Sequence, residues 1–235
     1  MRILIQCSFV LGLVCGVSVP FANAQETANA QETASEDPTQ SLYLDDFETD
    51  EERWQVTDPE AWKFENGRLK LYQKKSNYKP PFRSPRHIAL LKEQEFESFQ
   101  LDVQVLSTHE EYNHRDVCLF FGYQSPSQFY YVHLGKKTDQ YANQIFVVNK
   151  AARTKISLTT TEGTPWDDQW HKVRIKRNVE TGDIQVFFDD MQEPVMTAKD
   201  TTFKKGRVGL GSFDDIADFD DLNISELPAQ SDQRP

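Results

Sequence analysis

Side chains that can hold a polyhydroxylated ligand are concentrated in one stretch of the chain, residues 115–153. Three strand-like runs lie in it, at Val117–Tyr123, Phe129–Leu134 and Gln144–Asn149. Aromatic rings stack on the apolar faces of sugar rings, while imidazole, amide and guanidinium groups hydrogen-bond to the hydroxyls. The stretch therefore predicts a sugar-binding surface on a β-sheet.

The middle run divides its side chains between two faces. Because successive side chains of a strand point in opposite directions, Tyr131 and His133 share one face. The other face, with Tyr130, Val132 and Leu134, is more apolar and is predicted to pack against a second sheet. We therefore expect Tyr131 and His133 to look outward onto the concave surface of a sandwich. The alternative is that these two groups only satisfy one another in a polar outer sheet.

Neighbouring segments complete the predicted ligand-binding set with arginine, asparagine and aspartate side chains. These are Arg115 and Asp116 before the first run, Asn143, Asn149 and Arg153 around and after the third, and Arg83 from an upstream loop. A guanidinium binds a carboxylate or sulfate bidentately, so Arg83 is suited to an acidic sugar. A solvated loop is the alternative for Arg83, and a local ion pair with Asp116 is the alternative for Arg115.

Catalysis is an open alternative to binding. His133 and Asp116 are the candidates for a general base. Glycosidases need two carboxylates at a set separation, and Glu48–Glu52 has a matching alternation of acidic residues. Its intervening residues are polar, as in a solvated turn, so this segment does not predict a retaining glycosidase.

Two acidic pairs predict a structural calcium site. Asp45-Asp46 and Asp220-Asp221 lie on the predicted first and last strands, which a jelly roll brings together. Calcium takes six to eight oxygen ligands, so one ion could tie the two strands together. The alternative is that these are ordinary surface carboxylates. A zinc site is not expected, because the sequence shows no Cys and His cluster with the usual spacing.

Strand signals recur along the chain about every ten residues, and helix signals are nearly absent. Asn66-Gly67 is a hairpin turn signal, and the runs at 172–177 and 184–189 alternate apolar and polar side chains. Trp170 begins a strand where a large ring can close one end of the core. The pattern predicts an all-β protein, a jelly-roll sandwich of two antiparallel sheets.

Composition indicates an exported protein with one folded domain. Residues 1–24 have the charged, apolar and small-residue order of a signal peptide, so we predict bacterial export to the periplasm or medium. Residues 25–41 lack aromatic and branched aliphatic residues and are predicted to be a disordered linker. The domain is predicted at 42–227 and a flexible tail at 228–235. After removal of the signal only Cys118 is left, so no intrachain disulfide is expected.

Charge restricts the partners. The formal net charge is −11, which argues against nucleic acid and anionic membrane surfaces. No second apolar stretch is long enough to span a bilayer, so no membrane span is expected after signal removal.

Spaced motifs across residues 42–227 resemble the concanavalin A-like, laminin G-like jelly rolls. They are Asp45-Asp46-Phe47, Trp170-His171, the Gly-rich run 206–212 and Phe219-Asp220-Asp221. Within that superfamily the chain is most similar to bacterial exported domains related to the 3-keto-disaccharide hydrolases. The residues and the resemblance together predict an exported carbohydrate-binding sandwich. The alternatives are a glycoside hydrolase of the 3-keto-disaccharide type and a cell-surface module that binds another protein.

Overall fold

The computed structural model describes residues 40–49 and 51–228. The predicted signal peptide lies outside these residues, as do the linker up to residue 39 and the tail from residue 229.

The described residues form sixteen strands and two single turns of 3-10 helix, at Glu51–Arg53 and Pro59–Ala61. No helix in this part of the chain is long and apolar enough to cross a membrane. The strands are β1 (Ser41–Asp45), β2 (Trp54–Val56), β3 (Trp62–Phe64), β4 (Leu69–Leu71), β5 (His87–Leu91), β6 (Phe99–Ser107), β7 (Asp116–Ser125), β8 (Gln128–Gly135), β9 (Gln144–Asn149), β10 (Thr154–Lys155), β11 (Ser157–Thr160), β12 (His171–Arg177), β13 (Asp183–Phe188), β14 (Met196–Lys199), β15 (Arg207–Ser212) and β16 (Ala217–Ser225).

Two antiparallel sheets pack face to face in a jelly-roll sandwich, which confirms the predicted fold class. Sheet A has nine strands in the order β11-β14-β13-β12-β6-β16-β4-β3, with β1 paired to β16. Sheet B has seven strands in the order β10-β9-β8-β7-β15-β5-β2. The predicted Asn66-Gly67 turn joins β3 to β4, and both residues have positive φ, 57° and 64°.

The main core lies between the sheets and fixes the orientation of β8. Tyr130, Val132 and Leu134 are fully buried in it, together with Leu119 and Phe121 of β7. Burying each large apolar side chain contributes roughly 1.5–3 kcal/mol. The predicted inward face of β8 is therefore confirmed.

A second apolar cluster covers the opposite face of sheet B, and we call it the outer cluster. Its members are Ile88, Leu90, Cys118, Phe120, Tyr123, Phe129, Tyr131, Phe146 and Val148. Tyr78 and Phe82, from the segment between β4 and β5, and Phe213, after β15, pack against it. Most of this face is therefore filled by side chains instead of being an open trough.

Trp166, not Trp170, closes the core at the start of β12. Trp166 is 2% exposed, its Nε1 donates to the carbonyl of Leu134 at 2.9 Å, and its ring meets Phe188 edge-on at 5.2 Å. Trp170 is 37% exposed and lies beside Arg68. The expectation for Trp170 was wrong because alternation along β12 places His171, one residue later, toward the inside.

Candidate functional site

A cleft of about 340 Å³ opens at one end of the outer face of sheet B. Its walls come from the segment before β5 and from the loops β6–β7, β8–β9, β9–β10 and β15–β16. The lining residues are Arg83, Tyr112, His114, Asp116, His133, Asp139, Tyr141, Ala142, Arg153, Phe213 and Asp214. The outer cluster ends here, so polar side chains replace apolar ones.

His133 and Asp116 form the inner end of the cleft. His133 Nδ1 lies 3.0 Å from the carbonyl oxygen of Tyr141, which can only accept, so Nδ1 carries a proton. His133 Nε2 lies 3.6 Å from Asp116 Oδ2 and has no hydrogen-bond partner among the described residues. His133 is 6% and Asp116 2% exposed.

Asp116 is an ionised carboxylate in a nearly dry position. Burial alone would raise its pKa, but the nearby His133 and hydrogen bonds hold the pKa below its ordinary value. Its Oδ1 accepts from Ser212 Oγ at 2.9 Å and from the backbone N–H of Phe213 at 2.9 Å. Behind it, burial and the Asp116 charge raise the pKa of Asp215 to about 6.

Arginine and aromatic side chains form the outer wall. The Arg153 guanidinium lies 4.5 Å from the ring centroid of Phe213 and 4.7 Å from that of Phe146. The ring of Tyr141 is 50% exposed and has Arg83 at 5.5 Å and Arg153 at 5.7 Å. Cation–π contacts of this kind hold the guanidiniums at the aromatic surface.

Four of the predicted ligand contacts meet in this cleft: Arg83, Asp116, His133 and Arg153. Tyr131 does not line it. Tyr131 is fully buried in the outer cluster, and its hydroxyl accepts a hydrogen bond from Arg153 Nη1 at 2.7 Å. The expectation of an open Tyr131 was wrong because residues before β5 and after β15 cover its face of the sheet.

Arg115 is buried and joins two other segments of the chain by hydrogen bonds, so it is not a ligand contact. Its Nε donates to Ser107 Oγ at 2.8 Å, and its Nη2 donates to the carbonyls of Ser107 and Asp167, both at 2.6 Å. Its ion pairs are with Glu111 and Asp168, each beyond 3 Å, not with Asp116. Alternation along β7 directs Arg115 to the opposite side from Asp116.

The two predicted asparagines also fall outside the cleft. Asn143 is fully buried, where its Nδ2 donates to Thr138 Oγ1 at 2.7 Å and its Oδ1 accepts from Thr164 Oγ1 at 2.9 Å. Asn149 pairs with Gln128 at the other end of β8 and β9. That is five residues from the His133 level, or roughly 17 Å along the strand.

The sequence analysis missed several lining residues, above all Tyr141 and Asp139. They lie in the β8–β9 loop, where no periodicity applies. Asp139 Oδ1 accepts from the backbone N–H groups of Tyr141 at 2.6 Å and Ala142 at 2.8 Å, which shapes the loop and projects the Tyr141 ring. An aromatic residue in a polar loop between two strands was the available signal.

The acidic pairs proposed for calcium are brought together, since β1 pairs with β16 and Asp45 lies opposite Leu222. The Asp45 carboxylate accepts from Tyr43 Oη at 2.7 Å, from Trp54 Nε1 at 2.9 Å and from the N–H of Phe47 at 2.9 Å. Asp46 and Asp221 line a shallow depression beside it, and Asp220 accepts from the N–H of Asp221 at 2.7 Å. Calcium binding by Asp45, Asp46, Asp220 and Asp221 stays a prediction.

A larger depression, of about 920 Å³, lies on the outer side of sheet A. It is bordered by Leu158 and by Leu227 and Pro228, the last described residues. Its acidic member Asp183 is already paired with Lys199 at 3.5 Å. Unlike this depression, the cleft on sheet B is lined by histidine and arginine side chains as well as by aspartates and tyrosines. We therefore take the cleft as the candidate site.

Comparison with known proteins supports the fold. No protein-family model matches the chain, and no curated protein matches its sequence. Among solved structures, it is similar to carbohydrate-binding module CBM66 from Bacillus subtilis, with 16% identity, a TM-score of 0.57 and coverage of 74% of this chain and 96% of that one.

Two further structures are similar over most of their length. A galectin-like protein of unknown function from Bacillus subtilis has 12% identity, a TM-score of 0.54 and coverage of 79% of this chain and 96% of that one. The winged bean acidic lectin, in complex with methyl-α-D-galactose, has 14% identity, a TM-score of 0.50 and coverage of 79% and 97%. Identities this low establish a lectin-like β-sandwich and nothing about the ligand.

Proposed function

We propose that this chain is an exported glycan-binding protein that holds a sugar in the cleft at the end of sheet B. The observation that carries the proposal is the half-exposed Tyr141 ring flanked by Arg83 and Arg153. A sugar ring stacks on such an aromatic face, and the arginines can bond to its hydroxyls or to a carboxylate or sulfate. His133 and Asp116 lie at the inner end of the same cleft.

The shape of the cleft agrees with a small oligosaccharide. Sites for small ligands are concave and contain a few convergent polar groups, with volumes of roughly 300–1,000 Å³. The cleft, at about 340 Å³, is at the lower end of that range. The similar structures named above include a carbohydrate-binding module and a lectin, which is consistent with this class of ligand.

A glycan array containing neutral, uronic-acid and sulfated glycans tests the proposal. It should be run with and without a calcium-selective chelator, which tests the predicted ion at β1 and β16 in the same experiment. Tyr141→Ala should weaken binding of any hit at least about tenfold, or about 1.4 kcal/mol. Tyr72→Ala is the matched control, since Tyr72 is 40% exposed and lies outside the cleft. Equal binding by the two variants, or capture of a protein with no glycan hit, would contradict the proposal.

The second candidate function is hydrolysis of a 3-keto-disaccharide. The observation that favours it is His133 Nε2, an unpartnered base beside Asp116 in the cleft. Incubation with 3-keto-disaccharides and product analysis tests this reading, with His133→Gln as the inactive variant. Binding without turnover would leave the glycan-binding proposal in place and reject hydrolysis.

A further inference from the structure

We propose that Asp116, Cys118 and His133 bind one divalent transition-metal ion of the zinc class at the inner end of the cleft. Asp116 and Cys118 are two residues apart on β7 and so point to the same face of sheet B. His133 lies directly opposite Cys118 on β8. One oxygen, one sulfur and one nitrogen atom of these three side chains all lie within 4.8 Å of one another.

His133 presents a metal-binding lone pair. Because Nδ1 donates to the Tyr141 carbonyl, the neutral ring has its lone pair on Nε2, toward Asp116. The 3.6 Å separation between Nε2 and Asp116 Oδ2 is too long for a hydrogen bond. With a neutral ring, two buried acceptors would face each other here, and a metal cation between them would remove that cost. His133 is 94% buried, and its Nε2 has no partner in the described part of the chain.

The distances suit a tetrahedral ion. With metal–nitrogen and metal–oxygen bonds near 2.1 Å, two such ligands of a tetrahedral ion lie about 3.4 Å apart. With a metal–sulfur bond near 2.3 Å, a sulfur and an oxygen ligand lie about 3.6 Å apart. Nε2 of His133 lies 3.6 Å from Asp116 Oδ2, and Sγ of Cys118 lies 3.7 Å from Asp116 Oδ1. The two contacts use different oxygens of Asp116, so binding would also require small side-chain rotations that bring one oxygen, the sulfur and the nitrogen onto one ion.

The groups behind His133 and Asp116 hold these two ligands as in known metal sites. A metal-bound histidine usually donates its second ring N–H to a carbonyl or carboxylate, as His133 does to Tyr141. The Asp116 carboxylate is fixed by Ser212 and by the backbone of Phe213, which leaves Oδ2 directed at His133. The sulfur, nitrogen and oxygen donors together favour zinc over calcium or magnesium.

Binding would change the chemistry of the cleft. The Cys118 thiol would lose its proton to solvent and become a thiolate ligand. The fourth position would be taken by water or by Asp214, which lines the cleft and has a carboxylate oxygen within 4.8 Å of one from Asp116. Nε2 of His133 cannot be both a ligand and a general base, so metal binding would exclude His133 as the base of the hydrolytic candidate. The inference does not depend on glycan binding.

The proposed site departs from the sequence-based expectation that no zinc site is present. Sequence spacing predicts zinc where two ligands are close together on a turn, followed by a second pair. Here two ligands share one strand and the third is its cross-strand neighbour. The register of β7 and β8, which the sequence does not specify, creates the cluster.

The first experiment uses the full chain after chelator treatment, with zinc or cobalt chloride as the only addition. We expect one ion per chain by calorimetry and a thiolate-to-cobalt charge-transfer band in the cobalt complex. Zinc should also protect Cys118 from alkylation, as read by mass analysis of its peptide. Absence of binding, or cobalt binding without the sulfur band and without protection, would overturn the proposal.

Variants locate the ion. Cys118→Ser and His133→Gln should each weaken zinc binding at least about 100-fold, whereas His114→Gln should leave it unchanged. His114 lines the same cleft but belongs to neither ligand cluster. Undiminished binding by Cys118→Ser and His133→Gln would overturn the site. If far-ultraviolet circular dichroism shows that a variant is unfolded, the cobalt band and alkylation protection of the unmodified chain decide.

Discussion

Tyr131 is a residue whose role is to position a neighbour. Its ring stacks on Phe146 with centroids 5.1 Å apart, and its hydroxyl accepts from Arg153. Burial raises the pKa of Tyr131 well above its ordinary value, so the phenol is neutral wherever the protein is folded. The hydroxyl thus fixes one end of the Arg153 guanidinium while the ring faces of Phe146 and Phe213 hold its plane.

Tyr131→Ala should destabilise the protein by about 3–5 kcal/mol, because removing a buried ring leaves a cavity. We expect a loss similar to that of Phe188→Ala, since Phe188 is only 6% exposed on the other side of the sandwich. Urea unfolding measures both. Tyr131→Phe is the control, because it keeps the ring and should cost only about 1 kcal/mol. A Tyr131→Ala variant as stable as Tyr131→Phe would show that the outer cluster is not packed.

Alternation predicted which side chains share a face of β8 but not what lies on top of them. The inward set of Tyr130, Val132 and Leu134 followed from period two alone. The cover of Tyr131 comes from Tyr78, Phe82 and Phe213, in segments without a repeat. Burial by irregular segments depends on tertiary contacts, which a local pattern does not contain.

Strand β15 contains Gly209 and Gly211, at which an added side chain would collide with the backbone of β5. It runs between β7 and β5, with Gly211 opposite Cys118 on one side and Ile88 on the other. A Cβ added to Gly211 would lie 2.0 Å from the carbonyl oxygen of His87, which is backbone and cannot swing away. Glycine at this position permits the close approach of the neighbouring backbone.

Gly211→Ala should therefore separate β15 from β5 and lower the free energy of unfolding by about 1–3 kcal/mol. Thermal or urea unfolding measures the loss. Gly135→Ala on β8 is the control, because its added Cβ would come no closer than 3.0 Å to another atom. We expect the smaller loss for Gly135→Ala. The reverse order would mean that the β15–β5 pairing adjusts freely.

The segment after β14 is joined to β8 by a charged hydrogen bond. The Tyr130 hydroxyl donates to Asp200 and accepts from the backbone N–H of Phe203 at 2.9 Å. Burial tends to raise the pKa of Asp200, but the hydrogen bonds from Tyr130 and Thr202 lower it below its ordinary value. A lowered folded-state pKa means that the ionised carboxylate stabilises the fold above its unfolded pKa.

The stabilisation of the fold by the ionised Asp200 carboxylate should disappear as the pH falls through the folded-state pKa of Asp200. Asp200→Asn removes the titrating group but keeps an oxygen that accepts from Tyr130. Between about pH 5 and pH 3, the free energy of unfolding should fall more in the parent protein than in Asp200→Asn, by less than about 1 kcal/mol because solvent screens a partly exposed carboxylate. Urea unfolding at several pH values measures this difference. Parallel pH curves for the two proteins would contradict the assignment.

The longer strands were predictable from the sequence, but several of the short ones without a turn signal were not. The bounds predicted for β9, Gln144–Asn149, agree with the structure, because six residues suffice to show an apolar pattern. By contrast, β2, β10, β11 and β14 have two to four residues. Their place in a sheet is set by the neighbouring strand and not by their own side chains.

At the scale of the whole molecule, the candidate cleft combines residues far apart in the sequence. Arg83 precedes β5, Tyr141 follows β8 and Asp214 follows β15. Antiparallel pairing places these strand termini at the same end of sheet B, so the loops that follow or precede them converge. The sequence indicated the fold class and four of the lining side chains, but the convergence required the strand order.

The packing of the whole sandwich shields the Cys118 thiol from solvent. The accessibility of this thiol therefore reports on unfolding. Cys118 is a fully buried free thiol within the outer cluster on sheet B. No disulfide links the strands in the residues described, because Cys118 is their only cysteine. If the two sheets unfold together, the thiol becomes accessible only when the whole domain opens.

Alkylation of Cys118 in the presence of a chelator should therefore follow global unfolding. We expect its rate to rise with urea in parallel with loss of circular dichroism, as measured by mass analysis of the Cys118 peptide. The free energy of opening obtained from the labelling should equal that from equilibrium unfolding, and reductant should change neither value. The Gly211→Ala variant provides the internal control, because it should accelerate labelling by the factor that its stability loss predicts. Fast labelling in native buffer would instead mean that the cleft opens locally, which would separate the outer cluster from the main core as an independent unit.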